Sequence, residues 1–207
     1  MVIGRRQFLG YAATALTVAL RTDGSGSEPS VVSVLDLKEH CSLRESLAGY
    51  ERASAGCVTR RPLLIVPAAL ALPAAATGAM ANCLRRGGTV LLESGAGYAA
   101  ESDCRVHREA LRNRLQVRVA AARFKSRRVP YVDYAWPSPT KIRDFSRVVP
   151  LAEHQSGEII AWADGFPVAL KRRIGSGTLI YVGSPLGPAL WAGDTEARQW
   201  LSRLFSL

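Results

Sequence analysis

Cysteine and histidine are both scarce in this sequence of 207 residues. The four cysteines, Cys41, Cys57, Cys83 and Cys104, form no Cys-x-x-Cys pair, and none has a histidine at metal-ligand spacing. A zinc site is therefore not expected, because such sites use closely spaced cysteines and histidines. Two interpretations of the thiols stay open. In an oxidising compartment Cys41 and Cys57 can pair, or the cysteines stay free as small buried apolar residues.

The sequence also lacks the glycine-rich motifs that bind nucleotide cofactors. Neither Gly-x-Gly-x-x-Gly nor a P-loop occurs, so we predict no cofactor. Hydrophobic residues make up 48% of the chain, which is ample for a core. The length suits one α/β domain behind a leader segment.

Acidic residues are few beside basic ones, 17 against 27, and the formal net charge is +10. Between Arg105 and Arg128 the only acid is Glu109, and Arg105, Arg108 and Arg112 fall on one face of a predicted helix. Such a face can bind nucleic acid, anionic lipid or an acidic partner. Because aromatic residues are sparse here and no nucleic-acid motif occurs, we predict a solvated face and no nucleic-acid partner.

The N-terminal apolar run, residues 11–20, is too short to span a bilayer in the ordinary way. It follows Arg5-Arg6 and Phe8-Leu9, an arrangement that resembles a bacterial twin-arginine export signal. We predict that residues 1–30 are an export signal and linker and that residues 31–207 form a single domain. The protein would then be periplasmic, or membrane-associated through an uncleaved leader.

Apolar runs and turn signals alternate along the first half of this domain. The predicted elements are strands over 31–37, 62–66 and 89–92, and helices over 42–53, 74–84 and 98–114. This β-α-β-α order predicts parallel strands joined by right-handed crossovers. Residues 128–150 are rich in proline and aromatic side chains, and we interpret them as an ordered excursion packed on the domain.

The C-terminal part predicts a hairpin, a buried strand and a last helix. Asp164-Gly165 is a two-residue hairpin signal between apolar strands, and residues 178–182 form the next strand. Asp194 is a cap for a helix over 195–205. The predicted fold class is α/β, a three-layer open sheet that is mostly parallel and flavodoxin-like, with a C-terminal β-hairpin.

The stretch 85–97 predicts the site. Gly87-Gly88 ends a helix and Val90-Leu91-Leu92 is a short buried strand. Glu93 and Ser94 then lie at the carboxyl end of that strand, where open α/β sheets place their ligands.

Three blocks of sequence, residues 63–67, 84–95 and 167–183, resemble the class I glutamine amidotransferase-like fold. The resemblance covers most of residues 31–207. It implies an amidotransferase-like scaffold, whose relatives include non-enzymatic domains appended to sugar-active or membrane proteins.

The resemblance does not extend to glutaminase chemistry. Enzymes of that superfamily place a cysteine in a Gly-x-Cys-x-Gly elbow and a His-x-Glu pair after a late strand. Here the elbow reads Glu93-Ser94-Gly95, and the late strand leads to Gly183-Ser184-Pro185. Glutaminase activity is therefore not expected.

Two functions stay open. The first is an exported, non-catalytic domain that binds an unidentified protein or small molecule. Its candidate ligand-binding residues are Glu93, Ser94, Gly95, Gly97, Tyr134, Trp136 and Ser184. The second is a serine hydrolase with Ser94 as nucleophile and His107 or His154 as base. For Glu93 we favour a structural ion pair, with the arginine-rich segment or the aromatic excursion, over a ligand contact.

Overall fold

The computed structural model describes residues 30–124, 130–144, 147–152 and 155–207. Residues 1–29 of the predicted export signal and linker lie outside these ranges, and so does His154. The helices are α1 Arg44–Ser54, α2 Ala74–Arg85, α3 Glu101–Leu115, α4 Gly187–Trp191 and α5 Thr195–Phe205. The strands are β1 Ser30–Val34, β2 Val58–Thr59, β3 Leu63–Ala69, β4 Thr89–Ser94, β5 Arg123–Phe124, β6 Tyr131–Tyr134, β7 Thr140–Arg143, β8 Arg147–Val148, β9 Glu158–Ala163, β10 Phe166–Ile174 and β11 Gly177–Val182.

Nine of these strands form one mixed sheet in the order β2-β1-β3-β4-β11-β10-β9-β6-β7. Three neighbouring pairs are parallel, namely β1–β3, β3–β4 and β4–β11. The other five pairs are antiparallel, namely β1–β2, β11–β10, β10–β9, β9–β6 and β6–β7. The prediction of a mostly parallel, flavodoxin-like open sheet is therefore wrong.

The error arises in the second half of the chain. Residues 128–150 were expected to pack on the domain, but they supply β6 and β7, which extend the sheet beside β9. The Asp164-Gly165 turn joins β9 to β10, as predicted, and a second tight turn joins β10 to β11. Strands joined by such short turns pair antiparallel. Together with β1–β2, β9–β6 and β6–β7, these two hairpins give five antiparallel pairs against three parallel ones.

Helices cover both faces of the sheet around β3 and β4. Alternate residues of a strand point to opposite faces, so Ile65 and Leu91 face one apolar cluster while Val66 and Leu92 face the other. The first cluster is completed by α1, α4 and α5 with Tyr50, Leu190, Trp200 and Leu201. The second is completed by α2 and α3 with Met80, Leu84, Leu111 and Leu115.

The predicted starts of two helices, those over 195–205 and 42–53, have different outcomes. Asp194 caps α5, since its Oδ1 accepts a hydrogen bond from the Ala197 N–H at 2.9 Å, as predicted. The helix predicted to begin near Ser42 instead begins at Arg44. The Ser42 hydroxyl donates to the Ala68 carbonyl at 3.3 Å, which ties the chain before α1 to β3.

Helices α1 and α4 approach each other closely at Gly49. A Cβ on Gly49 would lie 2.2 Å from the Gly187 carbonyl oxygen and 2.9 Å from the Trp191 nitrogen, both of them backbone atoms. We expect Gly49→Ala to lower the free energy of unfolding by about 2 kcal/mol, because the helices must separate. Gly78→Ala in α2 is the matched control. Its Cβ would enter open space, so the change should leave stability equal or raise it by about 0.5–1 kcal/mol. Equal urea midpoints for the two variants would contradict the expectation.

Candidate functional site

The elbow after β4 is pressed against β3. Ser94 pairs with Ala69 at the end of the parallel β3–β4 ladder, after an irregularity that follows Val66. A Cβ on Gly95 would lie 2.1 Å from the Ala68 carbonyl oxygen, and one on Gly97 would lie 2.6 Å from the Arg147 carbonyl oxygen. Both predicted glycines are thus required by the close approach of another backbone segment.

Glu93 lies at the centre of this region and is fully buried. Its Oε2 accepts hydrogen bonds from the Ser46 hydroxyl at 2.7 Å and from the Ala68 N–H at 2.8 Å. Its Oε1 accepts from the Gly187 N–H at 2.8 Å. Burial raises the pKa of Glu93, while the hydrogen bonds from Gly187, Ser46, Ala68 and Leu186 act in the opposite direction.

These contacts give Glu93 a structural role with partners other than those predicted. The expected ion pair with the arginine-rich segment or the aromatic excursion is not formed among the described residues. A hydroxyl and backbone N–H groups surround the carboxylate instead. Because the donors come from α1, the end of β3 and the start of α4, one side chain joins three elements to β4. The buried Tyr50 also lies close enough for the Glu93 charge to add to the effect of burial, which raises the Tyr50 pKa.

Ser94 meets a histidine. The distance from Ser94 Oγ to His107 Nε2 is 2.9 Å, and His107 Nδ1 lies 3.1 Å from the Leu70 carbonyl oxygen. A carbonyl can only accept, so the Nδ1 atom of a neutral ring carries the proton and Nε2 accepts from the serine hydroxyl. This is the orientation that a serine nucleophile and its general base require.

The same pair is sealed from solvent. Ser94 is 1% exposed and His107 is 0% exposed. Burial lowers the pKa of His107 from 6.5 to about 4, so the ring is neutral at pH 7. The hydrogen bond to Leu70 acts in the opposite direction. The sequence placed His107 among arginines, but burial rather than neighbouring charge is the main cause of its low pKa.

The backbone amides after Ser94 are already engaged. The Gly95 N–H donates to the Ala69 carbonyl at 2.8 Å. The Ala96 N–H donates to Ser94 Oγ itself at 3.3 Å. An oxyanion hole needs donors aimed at the substrate, and neither of these two amides is available for that purpose.

The other predicted site residues lie elsewhere or are covered. Tyr134 is buried, with its ring 5.0 Å from that of Trp200. The Trp136 carbonyl accepts from Trp200 Nε1 at 2.9 Å, and its ring lines a cleft at the opposite end of the parallel strands. Ser184 is buried and its hydroxyl donates to an Asp144 carboxylate oxygen. The structure therefore groups Glu93, Ser94, Gly95 and Gly97 but excludes Trp136 from that group.

All four cysteines are free, including Cys41 and Cys57. Within the described ranges, no group of His, Cys, Asp and Glu side chains is arranged to hold a metal ion. No helix among the described residues is long and apolar enough to cross a membrane.

No protein-family model matches the sequence, and no curated protein matches it. Among solved structures, the chain is similar to a β-galactosidase from Rahnella sp. R3, with a TM-score of 0.57 and 14% identity. That match covers 86% of this chain and 31% of the enzyme. A β-galactosidase from Bacillus circulans sp. alkalophilus matches with a TM-score of 0.53 and 13% identity over 84% of this chain and 31% of that enzyme. The chain thus spans about three tenths of the β-galactosidases it matches, and the similarity is one of fold.

A weaker similarity connects the chain to a ThuA-like protein of Bacteroides uniformis, with a TM-score of 0.49 and 9% identity over 88% of this chain and 93% of that one. A similarity at this level supports no conclusion about fold or activity, so the resemblance drawn from the sequence motifs stays a prediction.

Proposed function

We propose that this chain is an exported, non-catalytic α/β domain that keeps the amidotransferase-like elbow as a structural joint and binds a ligand or partner elsewhere. The observation that carries the proposal is the burial of the Ser94–His107 pair, which is less than 2% exposed. A substrate carbonyl could reach Ser94 Oγ only if the covering residues moved away. The export part of the proposal rests on the Arg5-Arg6 segment of the sequence.

The hydrogen bonds within the elbow support the same conclusion. Glu93 is the carboxylate at the end of β4, and both of its oxygens accept hydrogen bonds from Ser46, Ala68 and Gly187. The amides of Gly95 and Ala96 are also engaged. Each polar group that catalysis would need has an internal partner, as expected of a joint that holds the fold together.

A serine hydrolase is the second candidate, because one observation favours it. The 2.9 Å contact between Ser94 and His107, with Nδ1 held by Leu70, is the geometry of an activated serine. In this alternative, His107 Nε2 would take the hydroxyl proton as Ser94 Oγ attacks a carbonyl. The covering residues would have to move to admit the substrate.

Labelling with a fluorophosphonate probe separates the two functions. We expect the folded wild-type domain to stay unlabelled, as should Ser94→Ala and the matched buried-serine control Ser184→Ala. An active serine hydrolase in the same tube shows that the probe works, and circular dichroism shows that each variant is folded. Labelling of the wild type and of Ser184→Ala, but not of Ser94→Ala, would overturn the non-catalytic proposal.

A further inference from the structure

A cleft of about 470 Å³ lies at the end of the sheet opposite to Glu93. It forms where β3, β4 and β11 begin, and a row of paired residues crosses four strands beneath it. Leu63 pairs with Thr89, Thr89 with Thr178, and Thr178 with Arg173. We refer to this cleft, lined also by Arg61, Ile180 and Leu204, as the basal cleft.

The floor of the basal cleft is apolar. Leu63, Ile180 and Leu204 are buried members of the cluster that packs under α5, and Phe205 is partly buried beside them. The side chains of two threonines in the row, Thr89 and Thr178, are only half-buried. An apolar floor with a few polar groups at its border is the usual composition of a small-molecule site.

The rim of the basal cleft is basic, and two of its basic side chains already have partners. Lys171 pairs with Glu158 at 2.7 Å and lies 4.5 Å from the centre of the Trp136 ring. The Arg172 guanidinium donates to the Leu115 and Gln116 carbonyls.

The remaining two basic side chains, Arg61 and Arg173, form no ion pair with any described residue. Both belong to exposed residues that line the basal cleft. The one acidic side chain among the described residues that line it, Glu158, is already paired with Lys171. The rim therefore carries uncompensated positive charge next to an apolar floor.

We propose that the basal cleft binds an amphipathic organic anion. Its carboxylate, sulfate or phosphate group would lie between Arg61 and Arg173, and its apolar body would lie on Leu63, Ile180 and Leu204. Guanidinium groups bind such oxyanions through paired, charge-assisted hydrogen bonds, while the floor removes the apolar body from water. The inference rests on the proposed function, since it supplies the ligand of a binding domain.

The test uses two fluorescent probes of nearly the same shape. 8-Anilinonaphthalene-1-sulfonate carries the anionic group, and N-phenyl-1-naphthylamine lacks it. Both are titrated into the folded protein and into two double variants with equal charge loss. The variant Arg61→Gln/Arg173→Gln removes the cations of the cleft, and Arg105→Gln/Arg112→Gln removes two exposed cations from α3.

We expect one saturable site for the sulfonate in the wild type. Its affinity should fall by about tenfold or more in Arg61→Gln/Arg173→Gln and stay within about twofold in the α3 control. The neutral probe should bind both double variants alike. Displacement of the sulfonate by octanoate, octyl sulfate or octyl phosphate then identifies the preferred oxyanion.

Three results would overturn this inference. They are no saturable binding, an equal loss in both double variants, or an equal loss for the neutral probe. None of them involves Ser94, so they are distinct from labelling by the fluorophosphonate, which would overturn the proposed function.

Discussion

We expect Glu93→Gln to lower the free energy of unfolding by about 3 kcal/mol, because it leaves a buried N–H group facing another donor. The glutamine amide has one oxygen and one NH₂ group. If the NH₂ group replaces Oε1 it faces the Gly187 N–H, and if it replaces Oε2 it faces the Ala68 N–H. Neither orientation satisfies both backbone amides, although the side chain keeps its size.

The matched control is Glu51→Gln, an exposed residue on α1. It makes the same chemical change and should alter stability by no more than about 0.5 kcal/mol. Urea titration at pH 7 measures both variants. Equal midpoints for Glu93→Gln and the wild type would contradict the structural role of Glu93.

Amide hydrogen exchange tests which part of the fold is destabilised in Glu93→Gln. The donors to Glu93 come from α1, β3 and α4, so in Glu93→Gln the amides of α1 and α4 should lose protection before those of α2. A loss spread equally over both faces of the sheet would show that Glu93 does not act as a local joint between these elements.

We expect the protein to lose stability as the pH falls from 6.5 to 4, with His107 contributing about 3 kcal/mol to this loss. The pKa of His107 is about 4 in the folded state against 6.5 ordinarily, because its ring is buried. Between these values the unfolded chain binds a proton that the folded chain does not. The contribution is therefore fully present above pH 6.5 and is lost progressively as the pH falls toward 4.

The measurement compares the pH dependence of the free energy of unfolding for the wild type and for His107→Gln. Between pH 4 and 6.5, the free energy of unfolding of His107→Gln should change less with pH than that of the wild type, because the contribution of His107 is missing. The variant is also less stable than the wild type at pH 7. Carboxylates such as Glu93 titrate in both proteins, so their effect cancels in the difference. His40→Gln, at a histidine whose side chain is 40% exposed, is the matched control for the chemical change. A slope that persists in His107→Gln would contradict the assignment.

The contact between Ser94 and His107 could be predicted only in part. The sequence indicated an elbow at Ser94 and two histidines that could serve it, but not which one would meet it. A further signal was present, since Cys104, His107, Leu111 and Leu115 recur at helical spacing and are the buried residues of α3. That periodicity puts His107 on the apolar face, away from the neighbouring arginines. The Leu70 carbonyl that holds Nδ1 left no signal, because it is a backbone atom on another element.

Several elements of the fold follow from local chemistry along the chain. The presence and order of β3, α2 and β4, the Asp164-Gly165 hairpin and the Asp194 cap follow from apolar runs, turn residues and capping side chains that lie close together in the chain. Strand β3 nevertheless continues to Ala69, three residues beyond its predicted end. The absence of an elbow cysteine and of a late histidine was likewise readable from the residues alone, and it argues against glutaminase activity.

Long-range packing sets the order of the strands and the burial of the elbow. Strand order depends on which strand edges meet. Residues 131–134 and 140–143 join the sheet as β6 and β7, although the prolines of this segment predicted an excursion. Burial depends on packing from all sides. Because of it, Glu93 accepts hydrogen bonds from three elements instead of forming the expected ion pair, and Ser94 and His107 are closed off from solvent. The same long-range packing brought Arg61 and Arg173, which are 112 positions apart in the chain, to one cleft.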